Sequence, residues 1–362
     1  MLRRTFLTQS LMLLASSLLR APSVFGRTDS GASPETIRHL AAAVGDLLRA
    51  LQPESQKAIR FSFDDAERKK WTNVPNAVQP RRGLAFGKMS DSERMAAHRL
   101  LQMIMSTQGY LKATGIMSLE NVLREIHAAD VRDFFSPEFY FLSVFGSPEK
   151  DDRWALRIDG HHLALHLTVI DNQITSTPLF MGTEPATVQH GHLAGLSVLG
   201  AETMKGFALR NALTVEQAKL AVLSQDLPPD IFTGPGRDNA LSKPAGVPAS
   251  RFQGRQRELL ESLVDEYLGN MHPQVARSYR HKVQQDGFDA VHFAWMGPAL
   301  LGKPVYYRVH GPSLLIEYDN SLAVGTQAKV NDPNHIHTIV RVPGNDFGED
   351  WLRNHHQQKP HK

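Results

Sequence analysis

The sequence predicts an α+β fold, with a helical amino-terminal part packed on a largely antiparallel sheet, and two observations predict it. Over the first third of the chain, apolar residues recur at helical spacing behind N-cap signals. From Phe139 the period changes to two, and the runs that follow read as an antiparallel meander.

Taken in order, Ser33-Pro34-Glu35 supplies an N-cap and a proline at the first helical position. Ile37, Leu40, Ala41, Val44, Leu47, Leu48 and Leu51 then line one face of a helix that ends at Pro53. Ser90-Asp91-Ser92-Glu93 is a capping box ahead of Met95, Leu100, Leu101, Ile104 and Met105, and Ser118 opens a further helix through Leu119, Val122, Leu123 and Ile126. Thioether sulfur suits Cu(I), but the spacing of Met95, Met103 and Met105 on an apolar face favours core packing.

The run 139–145 ends in a Gly-Ser-Pro turn, residues 154–158 and 163–170 read as strands, and Asp171-Asn172-Gln173 turns the chain into 174–177. Thr214-Val215-Glu216-Gln217 is a second capping box, opening a helix through Leu223, and residues 256–268 form an amphipathic helix. Between them residues 227–254, rich in Pro, Gly and Ser, make a long loop of the kind that carries function. Strands resume at 289–295, 304–309, 313–318 and 334–342, followed by Asp346-Phe347-Gly348 and a short terminal helix. One large domain is expected over residues 27–362.

Residues 1–26 are expected to be a signal peptide. Arg3-Arg4-Thr5-Phe6-Leu7 resembles the twin-arginine type, and the apolar stretch 11–19, interrupted by Arg20, is too brief to span a membrane. A twin-arginine signal implies the export machinery of that name as a partner, with the folded chain delivered to the periplasm or cell exterior. That route suits a protein that acquires a metal or cofactor before leaving the cytoplasm. Removing Arg3, Arg4 and Arg20 takes the formal charge from +3 to 0, which leaves no electrostatic footprint for nucleic acid or anionic lipid. The chain has no cysteine, which excludes disulfides, Fe–S clusters, thiolate zinc sites and cysteine nucleophiles. Beyond the leader no apolar run approaches ~18 residues, so stable membrane insertion of the mature chain is not expected.

The chemistry concentrates in histidines. His335 and His337 lie two apart in a strand, so both rings point to one face at ~6.6 to 6.8 Å spacing while Ile336 packs behind them. Such a pair either faces solvent or converges on a metal ion, for which neutral imidazole is a common ligand at ~2.0 to 2.1 Å. In the strand read over 159–169, one face carries His161, Leu163, Leu165, Leu167 and Val169, and the other carries His162, Ala164, His166 and Thr168. His162 and His166 are ~13 Å apart and cannot share an ion. His162, at the strand start beside a glycine, is the favoured third ligand, and His161 reads as a hydrogen-bonded core histidine.

Glu317 and Asp319 share a strand face with Leu315. A carboxylate after an apolar run needs a cation or donor, so Glu317 either pairs with Arg308 or Arg341 or binds a metal. Two imidazoles and a carboxylate would match a three-ligand catalytic centre. Gln189-His190-Gly191-His192 has the same spacing but reads as a surface turn, and His355, His356 and His361 as a weak adventitious metal tail. His292 and His310 are candidates for a further ligand or a supporting partner. The signatures of serine hydrolases, phosphate-binding loops and helix-based zinc proteases do not occur.

Several segments together resemble a bacterial family known as domain of unknown function 3500. They are Trp154 with Gly160-His161-His162-Leu163, Phe180-Met181-Gly182-Thr183-Glu184-Pro185, Tyr306-Tyr307-Arg308 with Gly311-Pro312, Glu317-Tyr318-Asp319-Asn320, and Asn334-His335-Ile336-His337 with Arg341 and Asp346-Phe347-Gly348. The resemblance covers nearly all of the mature chain and implies membership without a mechanism. Its polar signatures fall on His161, His162, Glu317, Asp319, Asn320, Asn334, His335 and His337. Segment 321–333 is longer than the family's linker at that point.

The expected function is an exported metal-dependent enzyme, with hydrolase-type chemistry favoured over oxidative chemistry. His162, His335 and His337 are the expected ligands of a divalent ion (Zn, Fe, Cu or Mn), and Glu317, Asp319 and Arg341 are the catalytic candidates, Asp319 as general base. A small molecule is the expected substrate or ligand. The alternatives are a periplasmic metal- or ligand-binding protein without turnover, with 227–254 as its lid, and a structural interaction module.

Overall fold

The computed structural model describes residues 32–322 and 333–358. The leader, and most of segment 321–333, lie outside the described residues. Nine α-helices occur among the described residues: α1 (Pro34–Ala50), α2 (Pro53–Ile59), α3 (Asp91–Ile104), α4 (Thr107–Ile126), α5 (Gly200–Asn211), α6 (Val215–Ala221), α7 (Arg255–Leu268), α8 (Pro273–Gln285) and α9 (Glu349–Gln358). None is long and apolar enough to cross a membrane.

The capping chemistry read from the sequence is present. Ser33 accepts from the Thr36 N–H, and Ser90 with Glu93 and Thr214 with Gln217 form reciprocal capping boxes. Three expectations need correcting. The helix expected to open at Ser118 already begins at Thr107, capped by Ser106. The helix from Val215 stops at Ala221 and runs into an edge strand instead of reaching Leu223. Met95 and Met103 are 57% and 44% exposed, because α3 turns Ala96, Ala97, Leu100, Leu101 and Ile104 inward; of the three methionines only Met105 is core. The helices α2, α5 and α8 were not anticipated.

Among the described residues thirteen strands form one mostly antiparallel sheet: β1 (Arg60–Phe61), β2 (Leu84–Ala85), β3 (Phe141–Gly146), β4 (Arg153–Gly160), β5 (Leu163–Ile170), β6 (Gln173–Thr175), β7 (Leu179–Thr183), β8 (Val222–Ser224), β9 (Val247–Pro248), β10 (His292–Met296), β11 (Tyr306–Gly311), β12 (Leu314–Asp319) and β13 (Ile336–Arg341). Its main path runs β1-β3-β4-β5-β7-β13-β12-β11-β10-β8, so the first half of the sheet joins the second through the β7–β13 pair. The fold is α+β.

The two faces of the sheet are chemically opposite. One carries Leu163, Leu165, Leu167, Ile316, Tyr318, Ile336 and Val340, and packs in a single apolar cluster with α1, α3, α4, α5 and α7. Burying such side chains stabilises by ~1.5 to 3 kcal/mol each. By register, the other face carries Arg157, Asp159, His162, His166, Arg308, Glu317, Asp319, His337 and Arg341, and every one of these is also buried. The cover is irregular chain. Trp71, Ile231 and Phe347 from three such segments pack on Ala164, Phe180 and Ile339 of the strands. Buried charge demands partners, and Arg81 meets Asp159 at 3.1 Å while Arg157 meets Glu67 at 3.1 Å.

Candidate metal centre

The site lies at one end of the polar face, where β5 and β13 begin and β7 and β12 end. His161 and His162, read from the sequence as opposite faces of one strand, instead form the turn between β4 and β5, and their rings stack at 3.8 Å. His161 turns to the helical side, where its Nδ1 lies 2.7 Å from Oε1 of Glu120 on α4. His162 takes a left-handed backbone (φ 60°), a strained state for a non-glycine residue, held by its N–H donating to Asn73 O and its carbonyl accepting from Gly182 N–H. Its ring is thereby aimed along the polar face.

There it meets His335, just before β13, and His337 within it. His162 Nε2 is 2.7 Å from His335 Nε2, which is 3.1 Å from His337 Nε2. All three nitrogens lie within 4.8 Å of one another, and the residues are 2%, 7% and 3% exposed. Burial holds His162 and His335 well below the usual imidazole pKa, with the neighbouring histidines adding to it, so both are neutral. His337 Nδ1 is 2.7 Å from Asp230 Oδ1, an arrangement in which Nδ1 carries the proton and Nε2 presents a lone pair. A neutral imidazole has one N–H, so three converging Nε2 atoms cannot all be satisfied by one another. Around a tetrahedral ion at ~2.0 to 2.1 Å such nitrogens stand ~3.3 Å apart, close to the spacing seen. The group can hold a metal ion.

Two carboxylates support the rings from behind. Burial alone would raise the Asp230 pKa, but the hydrogen bond from His337 and the Ile231 N–H outweigh it and hold it below the usual range. Glu184 lies 3.8 Å from His335 Nδ1 and 3.6 Å from His127 Nε2, and burial raises its pKa despite those histidines. Gly182 makes room for the rings, since a Cβ there would lie 3.0 Å from Cδ2 of both His162 and His337. A second group, Glu120 with His161 and His162, also has ligand atoms within 4.8 Å. Its two rings stack at 3.8 Å with a 27° tilt, so their in-plane lone pairs do not converge as those of the first group do.

Of the other residues predicted from sequence, Asp319 is cross-strand from His337 on the same face, and burial raises its pKa to about 7 against the hydrogen bonds from Ser321. Glu317 and Arg341 are not in the cluster. Glu317 accepts from Phe232 N–H (2.8 Å), Thr233 N–H (2.9 Å), the Thr233 hydroxyl and the Tyr306 hydroxyl (2.7 Å), and it ion-pairs with neither arginine proposed for it. Arg341 donates to Thr233 O and pairs with Asp346 at 2.6 Å. Both charges clamp the strap 231–234, whose neighbour Asp230 reaches His337. His190 and His192 sit in an exposed turn, and His292 and His310 pair across β10 and β11 outside the cluster. His355 Nδ1 lies 2.5 Å from Asp171 on the far side of β5, and His361 is outside the described residues.

Sequence reasoning missed Asp230, Glu184, Gly182 and Glu120. Glu184 and Gly182 stood in a segment already singled out for its resemblance, and Asp230 in the loop already marked as functional. No spacing rule tied any of them to the histidines.

Fold and site together define an α+β protein with a buried three-histidine cluster, backed by carboxylates, that can hold a metal ion. The chain belongs to the family described as Protein of unknown function (DUF3500), whose family model matches residues 33–349. Comparison with curated proteins and with solved structures gives no match.

Proposed function

We propose that the protein is an exported, metal-dependent enzyme in which His162, His335 and His337 hold a divalent ion through Nε2. The observation that carries this reading is the convergence of three buried imidazoles through Nε2, one of them oriented from behind by Asp230. A bound ion would supply Lewis acidity, which favours hydrolysis of an ester, amide or similar bond in a small molecule. Asp319, with a pKa of about 7 and next to His337 across the strand pair, is the group suited to take and return a proton at neutral pH. Glu317 and Arg341 act at one remove, by fixing the strap that carries Asp230. Export is the twin-arginine route, and the mature chain works in the periplasm or outside the cell.

One observation favours a second reading, a metal- or ligand-binding protein without turnover: all three imidazoles are nearly sealed from solvent. The test is elemental analysis of protein exported through its native route, with His337→Ala alongside. Stoichiometric zinc, iron, copper or manganese in the wild type, lost in a variant with an unchanged circular dichroism spectrum, is the expected result. Full metal content in His337→Ala overturns the ligand assignment. Chelator-sensitive turnover in a panel of esters and amides then supports the enzyme, and metal without turnover supports the second reading.

A further inference from the structure

The buried polar face holds one arginine that is treated differently from the rest. Arg68, Arg81, Arg157 and Arg341 each meet a carboxylate, at 3.3, 3.1, 3.1 and 2.6 Å. Arg308, 6% exposed, has no ion-pair partner among the described residues, and its Nε has no hydrogen-bond partner. Glu317 stands directly across from it on β12, but that carboxylate is already committed to Phe232, Thr233 and Tyr306. Two residues along β11 on the same face, His310 is 2% exposed and its Nδ1 is likewise without a partner. The two side chains stand ~6.6 to 6.8 Å apart along the strand.

A buried guanidinium offers five N–H donors in a planar fork; the Tyr306 hydroxyl answers part of Arg308's, and leaving its Nε–H without an acceptor is costly. One acceptor-rich group answers both orphans: an oxyanion takes the fork through two oxygens and the imidazole N–H through another. We propose that Arg308 and His310 form an anion-binding subsite that takes a carboxylate or phosphate group of a small molecule. It shares the polar face with the histidine cluster. β11 is two strands from β13, ~10 Å at ordinary strand spacing, so one small molecule can reach both. The strap borders it, since Phe232 packs on Tyr306 at 5.2 Å. That the bound group belongs to a substrate rests on the metal-enzyme reading; the binding itself does not.

The test is thermal unfolding of the full mature chain in sodium phosphate, sodium acetate and sodium chloride at matched ionic strength, for wild type, Arg308→Met, Arg308→Lys and His337→Ala. Wild type is expected to rise by about 4 °C at a hundredfold excess of the preferred anion over its Kd, with no rise in chloride. The larger response identifies phosphate or carboxylate as the chemistry. Arg308→Met should fold without added anion, because an apolar side chain replaces an unpaired buried charge, and should lose the response. Arg308→Lys keeps the charge without the fork and should bind at least tenfold more weakly. His337→Ala should keep the full response, which separates this subsite from the metal cluster. Equal shifts in all three salts, an undiminished response in Arg308→Met or Arg308→Lys, or a response lost in His337→Ala would each overturn the proposal.

Discussion

Replacing Gly182 by alanine adds one methyl group where β7 passes between His162 and His337. That methyl would lie 2.8 Å from the Ile336 carbonyl oxygen and 3.0 Å from Cδ2 of each ring. Ordinary contact is ~3.5 to 4.0 Å, so each ring must retreat by ~0.5 Å or more. The carbonyl belongs to the β13 main chain, paired with β7 in the sheet, and gives little. Metal–ligand distances tolerate only ~0.2 Å, so the displacement exceeds the tolerance at two of three ligands. Metal affinity should therefore fall at least tenfold, ~1.4 kcal/mol, on top of a packing cost of ~1 to 3 kcal/mol. Urea unfolding in EDTA isolates the packing cost, and competition with a chromophoric chelator reads the affinity. If the variant pays the packing cost yet binds metal as tightly as the wild type, the rings are not ligands and the reasoning fails.

The remaining expectations concern the supports of the site. Asp230→Asn removes the charged acceptor behind His337 and should weaken metal binding ~10- to 100-fold with little change in apo stability, as read by chelator competition. Glu317→Gln should destabilise by ~2 to 4 kcal/mol in denaturant titrations, because an amide N–H₂ faces N–H and O–H donors that the carboxylate accepted. It should also speed proteolytic cleavage within 230–240; a variant with unchanged stability and unchanged cleavage would free Glu317 for a direct catalytic role. For pH, burial lowers His166 to about 3 and His310 to about 4, against 6.5 unfolded. The unfolded chain then binds more protons, so their contribution is present above pH 6.5 and lost as pH falls, by up to ~1.4 kcal/mol per unit for each. Denaturant titrations between pH 7 and 4 should show this slope, and His310→Gln should flatten it by about one proton's worth.

How far the sequence could be read follows from the range of each signal. Helix starts at Ser33, Ser90 and Thr214 were legible because a cap is a contact between residues three apart. The start of α4 was not. Gly109 argues against a helix locally, yet a side chain there would run into the Asn270 carbonyl, so the glycine answers a contact from far along the chain. Likewise α3 was legible as a helix, but which stripe of it faces inward was read one position out for Met95 and Met103.

The sequence by itself determined the alternation of the strands, and so which residues share a face: His335 with His337, and Glu317 with Asp319. That periodicity is a property of the extended backbone and needs no partner. Only the tertiary structure decided that the polar face is buried, for alternation looks the same under water as under a layer of irregular chain. It also decided that the β7–β13 pair brings His162 to His335, that Asp230 reaches His337 and that Glu317 holds the strap instead of the cluster. Each of these joins residues some 80 to 170 positions apart, and at such separations it is packing, not local spacing, that brings side chains together.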